Sequence, residues 1–140
     1  MAGELILIVE DNEKNLKLVR DLLQVKGFRT VEAGTGELGV ELARRHLPHL
    51  ILMDIQLPGM DGTAALSQIK ADPTTAPIPV IALTASAMKE DRQRFLSAGF
   101  DGYLAKPINI RELPGVVREY CDRYASPLGS LQEGEGGGPS

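Results

Sequence analysis

His49-Leu50-Ile51-Leu52-Met53-Asp54 is a short apolar run that ends on a carboxylate. A continuous apolar run of this length is typical of a strand that is covered on both faces of a parallel sheet. Asp54 then stands at the rim of an apolar strand, where a carboxylate usually needs a partner. That partner has to come from other parts of the chain.

Segments of similar character recur on both sides of this stretch. The predicted strands are 5–9, 29–33, 49–53, 78–83 and 101–104, and the strand 29–33 alternates polar and apolar residues as an edge strand does. The predicted helices are 12–26, 35–46, 63–71, 88–97 and a last one that ends near Tyr124. Five strands that alternate with five helices predict an α/β fold, with a parallel sheet covered by helices on both faces.

Length and composition limit the classes of protein to consider. The 140 residues suffice for one domain, and a formal net charge of -4 argues against non-specific binding to nucleic acid phosphates. No apolar stretch approaches a membrane span, and the amino terminus lacks the basic start of a secretory signal. The single Cys121 cannot form an internal disulfide and is expected to be a partly buried thiol on a helix. We therefore expect a cytoplasmic protein with one domain over 1–125, followed by a disordered glycine-rich tail or linker over 126–140.

Polar residues follow most of the predicted strands. Ligands of open parallel sheets bind beyond the carboxyl ends of the strands, so these residues are expected to meet in one crevice. Taken singly, each has an ordinary explanation, such as a polar helix start, a capping hydroxyl or a solvated lysine. In combination they predict a site, and in chain order they are Glu10, Asp11, Asp54, Thr84 and Lys106.

Phosphoryl chemistry suits this set of side chains. Three carboxylates in one crevice repel each other, and oxygen-rich sites of this kind suit Mg²⁺. Asp54 could accept a phosphoryl group as an acyl phosphate, a known role of carboxylate nucleophiles. The metal, Lys106 and the hydroxyl of Thr84 could then neutralise the phosphoryl oxygens. His46 and His49 lie at the opposite end of the third strand and are read as surface residues.

A dinucleotide-binding module is the first alternative. Gly34-Thr35-Gly36-Glu37-Leu38-Gly39 fits the G-x-G-x-x-G pattern between a strand and a helix, and Asp54 lies about 20 residues further on. That motif belongs after the first strand of its unit, however, and here it follows a polar edge strand. This alternative also gives no role to Glu10, Asp11 and Lys106.

A phosphatase of the haloacid dehalogenase type is the second alternative. Such enzymes also combine an aspartyl phosphate, a Thr or Ser, a Lys and an acidic pair. Their nucleophile comes first in the chain and their acidic pair last, whereas here Glu10-Asp11 comes first. Asp54-Ile55-Gln56 also lacks the second acid of their Asp-x-Asp motif.

From about Glu4 to Tyr124 the chain resembles the receiver domain of two-component response regulators. The matching motifs are Glu10-Asp11, Asp54, Pro58-Gly59-Met60-Asp61-Gly62, Thr84-Ala85 and Lys106-Pro107. Their neighbouring residues are similar to those of stand-alone regulators of the DivK type and of receivers attached to hybrid histidine kinases. The resemblance implies a flavodoxin-like (βα)5 three-layer sandwich with strand order 2-1-3-4-5.

The resemblance also implies a role for each site residue. Asp54 would accept the phosphoryl group, Asp11 and Asp54 would ligate Mg²⁺ together with the backbone carbonyl of Gln56, and Glu10 would act through a metal-bound water. Mn²⁺ would be a substitute metal. Lys106 would pair with Asp54 at rest and with a phosphoryl oxygen afterwards. Thr84 and the switch aromatic Tyr103 would move inward together. No other cofactor and no enzymatic activity beyond self-phosphorylation and autodephosphorylation are expected.

The expected partners are proteins. The resemblance implies a histidine kinase or a histidine phosphotransfer protein as donor, a downstream protein target, and a phosphorylation-dependent dimer as a further option; nucleic acid and membrane binding are not expected. On the first helix, Leu16 and Leu23 share one face, and Leu18 and Val25 fall nearly opposite. An exposed apolar pair there could receive a kinase helix.

Two positions depart from regular helical sequence. Pro114 stands where the last helix should begin, so we expect that helix to start near Leu113 or to kink. Gly39 occupies a helical position where alanine would be more stabilising by about 1 kcal/mol.

Overall fold

Five strands alternate with five helices in the computed structural model, which describes residues 3–57, 59–85 and 89–123. The strands are β1 (Leu5–Val9), β2 (Arg29–Ala33), β3 (Leu50–Asp54), β4 (Val80–Thr84) and β5 (Gly102–Ala105). The helices are α1 (Glu13–Val25), α2 (Gly36–His46), α3 (Gly62–Ala71), α4 (Lys89–Ala98) and α5 (Leu113–Arg123). The predicted helix start at Met88, the helix end near Tyr124 and the tail 126–140 lie outside the described residues.

All five strands are parallel and lie in the order β2-β1-β3-β4-β5, which confirms the predicted topology. β2 stands at one edge and has the most exposed strand pattern, whereas every residue of β1, β3 and β4 is buried. The alternating and the continuous apolar runs therefore mark edge and interior strands as the sequence predicted.

The core forms two layers, one on each face of the sheet. One layer packs α2, α3 and α4 on the sheet through residues such as Val40, Leu66 and Phe95. The other packs α1 and α5 through residues such as Leu23, Val117 and Cys121. Strand side chains alternate between the two layers, so each of the interior strands contributes to both.

Three strands end one residue later than the sequence predicted. β3 includes Asp54 and β4 includes Thr84 as their last residues, and β5 ends at Ala105. β4 also begins later than predicted, at Val80, because Pro79 has no backbone N–H to donate to the sheet. Asp54 and Thr84 are consequently held by strand backbone, not by a loop.

Helix ends follow the capping rules. The side chains of Asn12, Thr35 and Asp61 each accept a hydrogen bond from a backbone N–H three residues further on, at the starts of α1, α2 and α3. Gly27 follows the end of α1 with a φ of 93°. α5 begins at Leu113 as expected, so Pro114 stands in the first turn, where the missing N–H removes no helical hydrogen bond.

The apolar residues of α1 divide between the core and the surface. Leu23 is fully buried and Leu16 packs against the same layer, whereas Leu18 and Val25 are exposed by 37% and 81%. The surface pair on this helix is therefore Leu18 and Val25. Within the described part of the chain, no helix has the length and apolar character to cross a membrane.

Candidate functional site

The polar residues named from the sequence meet at the carboxyl edge of the sheet. Val9 of β1 is level with Met53 of β3, so the residues that follow them, Glu10 and Asp54, are neighbours. Across the sheet, Thr84 is level with Ala105, and the backbone N–H of Lys106 donates to the carbonyl of Thr84 at 2.8 Å. The parallel register thus brings four strand ends into one crevice.

Lys106 bridges two buried carboxylates. Its Nζ lies 3.0 Å from Oδ2 of Asp54 and 3.0 Å from Oε1 of Glu10. The side chains of Glu10 and Asp54 are only 1% and 5% exposed, and that of Lys106 is 19% exposed. Contacts of this length between charged groups in a buried place are strong, because little water screens them.

The groups around Glu10 have opposing effects on its pKa. Burial and the neighbouring Asp54 carboxylate raise the pKa of Glu10, although Lys106 and the Asn12 N–H act in the opposite direction. Burial lowers the pKa of Lys106, but Glu10 and Asp54 more than offset this, so the pKa of Lys106 lies above its ordinary value. The ammonium therefore stays charged between its two partners.

Oε1 of Glu10 is also a buried acceptor without a well-directed hydrogen bond, since its contact with Lys106 is an ion pair by distance only. Its other oxygen, Oε2, accepts from the Asn12 N–H at 3.1 Å. Buried acceptors normally have a donor or an ordered water. An additional polar or cationic species beside Glu10 would satisfy this atom.

A divalent cation fits the charge of this site. Glu10, Asp11 and Asp54 each offer a carboxylate oxygen, and these oxygens all lie within 4.8 Å of one another. With one ammonium among three carboxylates, the site has a formal surplus of two negative charges. Asp11 is exposed, which leaves its carboxylate open to a hydrated ion such as Mg²⁺.

The segment that follows Asp54 is held in place by backbone contacts. The Gln56 N–H donates to Oδ1 of Asp54 at 3.0 Å, and the Gly62 N–H donates to the Ile55 carbonyl at 3.0 Å. A Cβ on Gly62 would lie 2.4 Å from the Asp54 carbonyl oxygen, so only glycine allows this approach. The start of α3 therefore fixes the backbone on which Asp54 and Gln56 stand.

Thr84 and Tyr103 lie on the same face of the sheet. Thr84 is 5% exposed at the end of β4, and Tyr103 is half-buried on β5 against the core layer of α2, α3 and α4. Tyr103 is level with Ala82, and Thr84 is level with Ala105. The cross-strand neighbours of both residues on that face are therefore small alanine side chains.

The glycine motif after β2 serves packing. A Cβ on Gly36 would lie 2.7 Å from the Met60 carbonyl oxygen, and one on Gly39 would lie 2.8 Å from Cγ2 of Val9. These glycines let α2 approach β1 and the loop before α3. Gly39 therefore has a packing reason that helix propensity alone did not reveal.

The two histidines lie where the sequence predicted, whereas one contact of Lys106 was not predicted. His46 and His49 are exposed, and Nδ1 of His49 accepts from the Leu5 N–H at 3.0 Å, at the end of the sheet away from Asp54. The ion pair of Lys106 with Glu10 was not predicted, because the family resemblance implied only Asp54 as the resting partner of Lys106. Spacing along the chain does not reveal which of two neighbouring carboxylates a lysine reaches.

The fold and the crevice define an α/β domain with an acidic cluster and a lysine at the carboxyl edge of its sheet, and comparison with known proteins gives the family. The model of the response regulator receiver domain matches residues 6–118. The polar-differentiation response regulator DivK of Brucella ovis is 44% identical over 115 residues, covering 82% of this chain and 94% of the relative.

Solved structures give the same result. The receiver domain of a Pseudomonas aeruginosa sensor histidine kinase, solved with a magnesium ion coordinated in its active-site cleft, is 38% identical, with a TM-score of 0.80 and coverage of 86% of this chain and 99% of that one. A CheY-like receiver domain protein from Methanospirillum hungatei is 30% identical, with a TM-score of 0.78 and coverage of 95% and 100%. The chain belongs to the response regulator receiver domain family of two-component signalling.

Proposed function

We propose that Asp54 accepts a phosphoryl group from a phosphohistidine on a histidine kinase or phosphotransfer protein, and that Mg²⁺ is required. The observation that carries the proposal is the contact of Lys106 with both Asp54 and Glu10, beside the exposed Asp11. In the transfer the N–P bond of the donor breaks, a P–O bond to a carboxylate oxygen of Asp54 forms, and the imidazole regains a proton.

Asp11, Asp54 and the Gln56 backbone carbonyl would ligate the metal, and Glu10 would hold a metal-bound water. Bound Mg²⁺ would supply charge neutralisation and would orient the incoming phosphoryl group. The surplus of two negative charges supports this assignment. Oε1 of Glu10 also supports it, because its 3.0 Å contact with Lys106 is not a well-directed hydrogen bond. Mn²⁺ shares the preference for oxygen ligands and is proposed as a substitute.

Lys106 and Thr84 would bind the phosphoryl group once it is formed. The ammonium already lies 3.0 Å from Oδ2 of Asp54, so it can transfer its contact to a phosphoryl oxygen with a small movement. Thr84 would donate its hydroxyl hydrogen to another phosphoryl oxygen, and Tyr103 would turn toward the space next to Thr84. The resulting change on α4, β5 and α5 would alter binding to a downstream protein.

Intact-mass spectrometry after treatment with acetyl phosphate and Mg²⁺ tests this function. We expect one phosphoryl adduct on the wild-type chain, and none with EDTA or in the Asp54→Asn variant. Asp61→Asn is the matched control, because Asp61 undergoes the same chemical change outside the carboxylate cluster and asparagine also caps helices. An adduct that survives in Asp54→Asn, or none on folded wild-type protein, would contradict the proposal.

A further inference from the structure

The ring of Tyr103 is covered by a cation from the neighbouring helix. Cζ of Arg92, on α4, lies 5.5 Å from the centre of the Tyr103 ring. This distance is within the range in which a guanidinium is attracted to the face of an aromatic ring. The contact therefore stabilises the ring in its present position.

Small side chains lie beside Tyr103 on its face of the sheet. The register partner of Tyr103 is Ala82, and the residue level with Thr84 is Ala105, so the cross-strand neighbours of both residues are small. Thr84 is 5% exposed, whereas Arg92 is exposed. A ring that turned toward Thr84 would leave the guanidinium behind, because a charged group that followed it would lose its water.

We propose that Arg92 is a positioning residue that holds the Tyr103 ring against α4 in the unphosphorylated protein and so sets how readily the switch responds. This inference rests on the proposed function, in which Tyr103 moves with Thr84. A contact that exists in only one of two states shifts the equilibrium between them by its own free energy. Arg92 thus favours the resting state.

α4 provides a matched control on its own surface. Cζ of Arg94 lies 5.3 Å from the centre of the Phe95 ring, so the same type of contact occurs two residues further on. Phe95 is 3% exposed and belongs to the core layer of α2, α3 and α4. Arg94 also pairs with Asp91 at 3.0 Å. Removing Arg94 therefore changes the helix charge, one cation–π contact and one surface ion pair, and none of these contacts involves Tyr103.

Ring-¹³C-tyrosine NMR of the full chain tests the inference, with the Tyr103 signal assigned by its loss in Tyr103→Phe. Spectra are compared with and without beryllofluoride and Mg²⁺, which mimic the phosphoryl group, for wild type, Arg92→Gln, Arg92→Lys and Arg94→Gln. We expect Arg92→Gln to move the Tyr103 signal of the untreated protein toward its beryllofluoride position, as an increase of about two- to fivefold in the population of the inward ring. Arg92→Lys should give a smaller shift, and Arg94→Gln none.

The outcomes distinguish a failure of this inference from a failure of the proposed function on which it rests. If Arg92→Gln leaves the Tyr103 signal in place, or if Arg94→Gln moves it equally, Arg92 does not position the ring. If beryllofluoride leaves Tyr103 unchanged in a wild-type protein that still forms the Asp54 adduct, the inference fails and the proposed phosphorylation stands. If wild type forms no adduct, the proposed function itself fails. Both arginines are exposed, and thermal unfolding of each variant verifies that it is folded.

Discussion

Nζ of Lys106 lies 3.0 Å from Oδ2 of Asp54, although 52 residues separate them in the chain. The contact depends on β4, which pairs with β3 on one side and with β5 on the other. Because β3, β4 and β5 must all be in register for it to form, the ion pair reports on the fold as well as on the site. The same ammonium also compensates Glu10, so one side chain holds two buried carboxylates together.

Lys106→Met should destabilise the metal-free protein at neutral pH. The substitution leaves Glu10 and Asp54 buried beside each other without their cation, and breaking a buried pair in this way costs about 2–4 kcal/mol when part of the site is open to water. Urea unfolding in EDTA, followed by circular dichroism, measures the loss. Mg²⁺ should restore part of the stability, since a cation again lies among the carboxylates.

Lys17→Met is the control for that experiment. Lys17 pairs with Asp21 on the surface of α1, with side chains 68% and 49% exposed, so its loss should change the free energy of unfolding by less than about 1 kcal/mol. If the two substitutions lower the free energy of unfolding equally, the buried contacts of Lys106 stabilise the protein no more than a surface ion pair does.

Glu10→Gln should stabilise the metal-free protein at neutral pH. The pKa of Glu10 is raised in the folded state by burial and by Asp54, so above its ordinary value of 4.5 the native state holds the proton more tightly than the unfolded chain. The free energy of unfolding of wild type therefore falls as the pH rises through the raised pKa. The neutral glutamine lacks this dependence.

Urea unfolding in EDTA at several pH values compares Glu10→Gln with wild type. The advantage of the variant should be present at pH 7 and should disappear as the pH falls below about 4.5, where Glu10 is protonated in both states. Glu41→Gln, at an exposed position of α2 paired with Arg45, is the control that should lack this pH-dependent gain. A variant that is less stable than wild type throughout would contradict the assigned pKa direction.

The strand order and the crevice could be anticipated because they follow from local sequence patterns. Continuous apolar runs predicted the interior strands. The polar residues that follow these strands predicted which side chains meet at the carboxyl edge of the sheet. Two contacts could not be anticipated from the sequence: that of Arg92 with Tyr103 and that of Lys106 with Glu10. They depend on how helices and side chains approach the sheet. Gly39 illustrates the limit: its helical position was evident from sequence, but its contact with Val9 required the packing of α2.

Gly39→Ala and Gly115→Ala should have opposite effects on stability. Both glycines are in helices, where alanine is favoured by about 1 kcal/mol. A Cβ at position 115 meets nothing within 4 Å, so Gly115→Ala should stabilise the protein by about 0.5–1 kcal/mol. A Cβ at position 39 lies 2.8 Å from Val9, so overpacking should offset the gain and cost about 1–3 kcal/mol. Urea unfolding of the two variants measures both effects, and a similar gain from both would rule out the steric role of Gly39.

Cys121 should be slow to react with thiol reagents in the native protein. Burial raises the pKa of its thiol from 9.0 to about 11, and the side chain lies in the core layer of α1 and α5. At pH 8 the reactive thiolate is then about 100-fold rarer than in the unfolded chain, before any shielding by the fold. Labelling with 5,5′-dithiobis(2-nitrobenzoate) in buffer and in urea measures the ratio, with Cys121→Ser as the blank.

The same shift contributes to the pH dependence of the stability of the fold at alkaline pH. Because the folded pKa of Cys121 lies above the unfolded one, the native state keeps a proton that the unfolded chain releases. Its contribution to the free energy of unfolding is complete below pH 9 and is lost as the pH rises through about 11. Cys121→Ser, whose hydroxyl does not ionise in this range, should therefore lose less stability than wild type between pH 9 and 11. Equal losses in the two proteins, or fast labelling of native wild type at pH 8, would place the thiol at the surface.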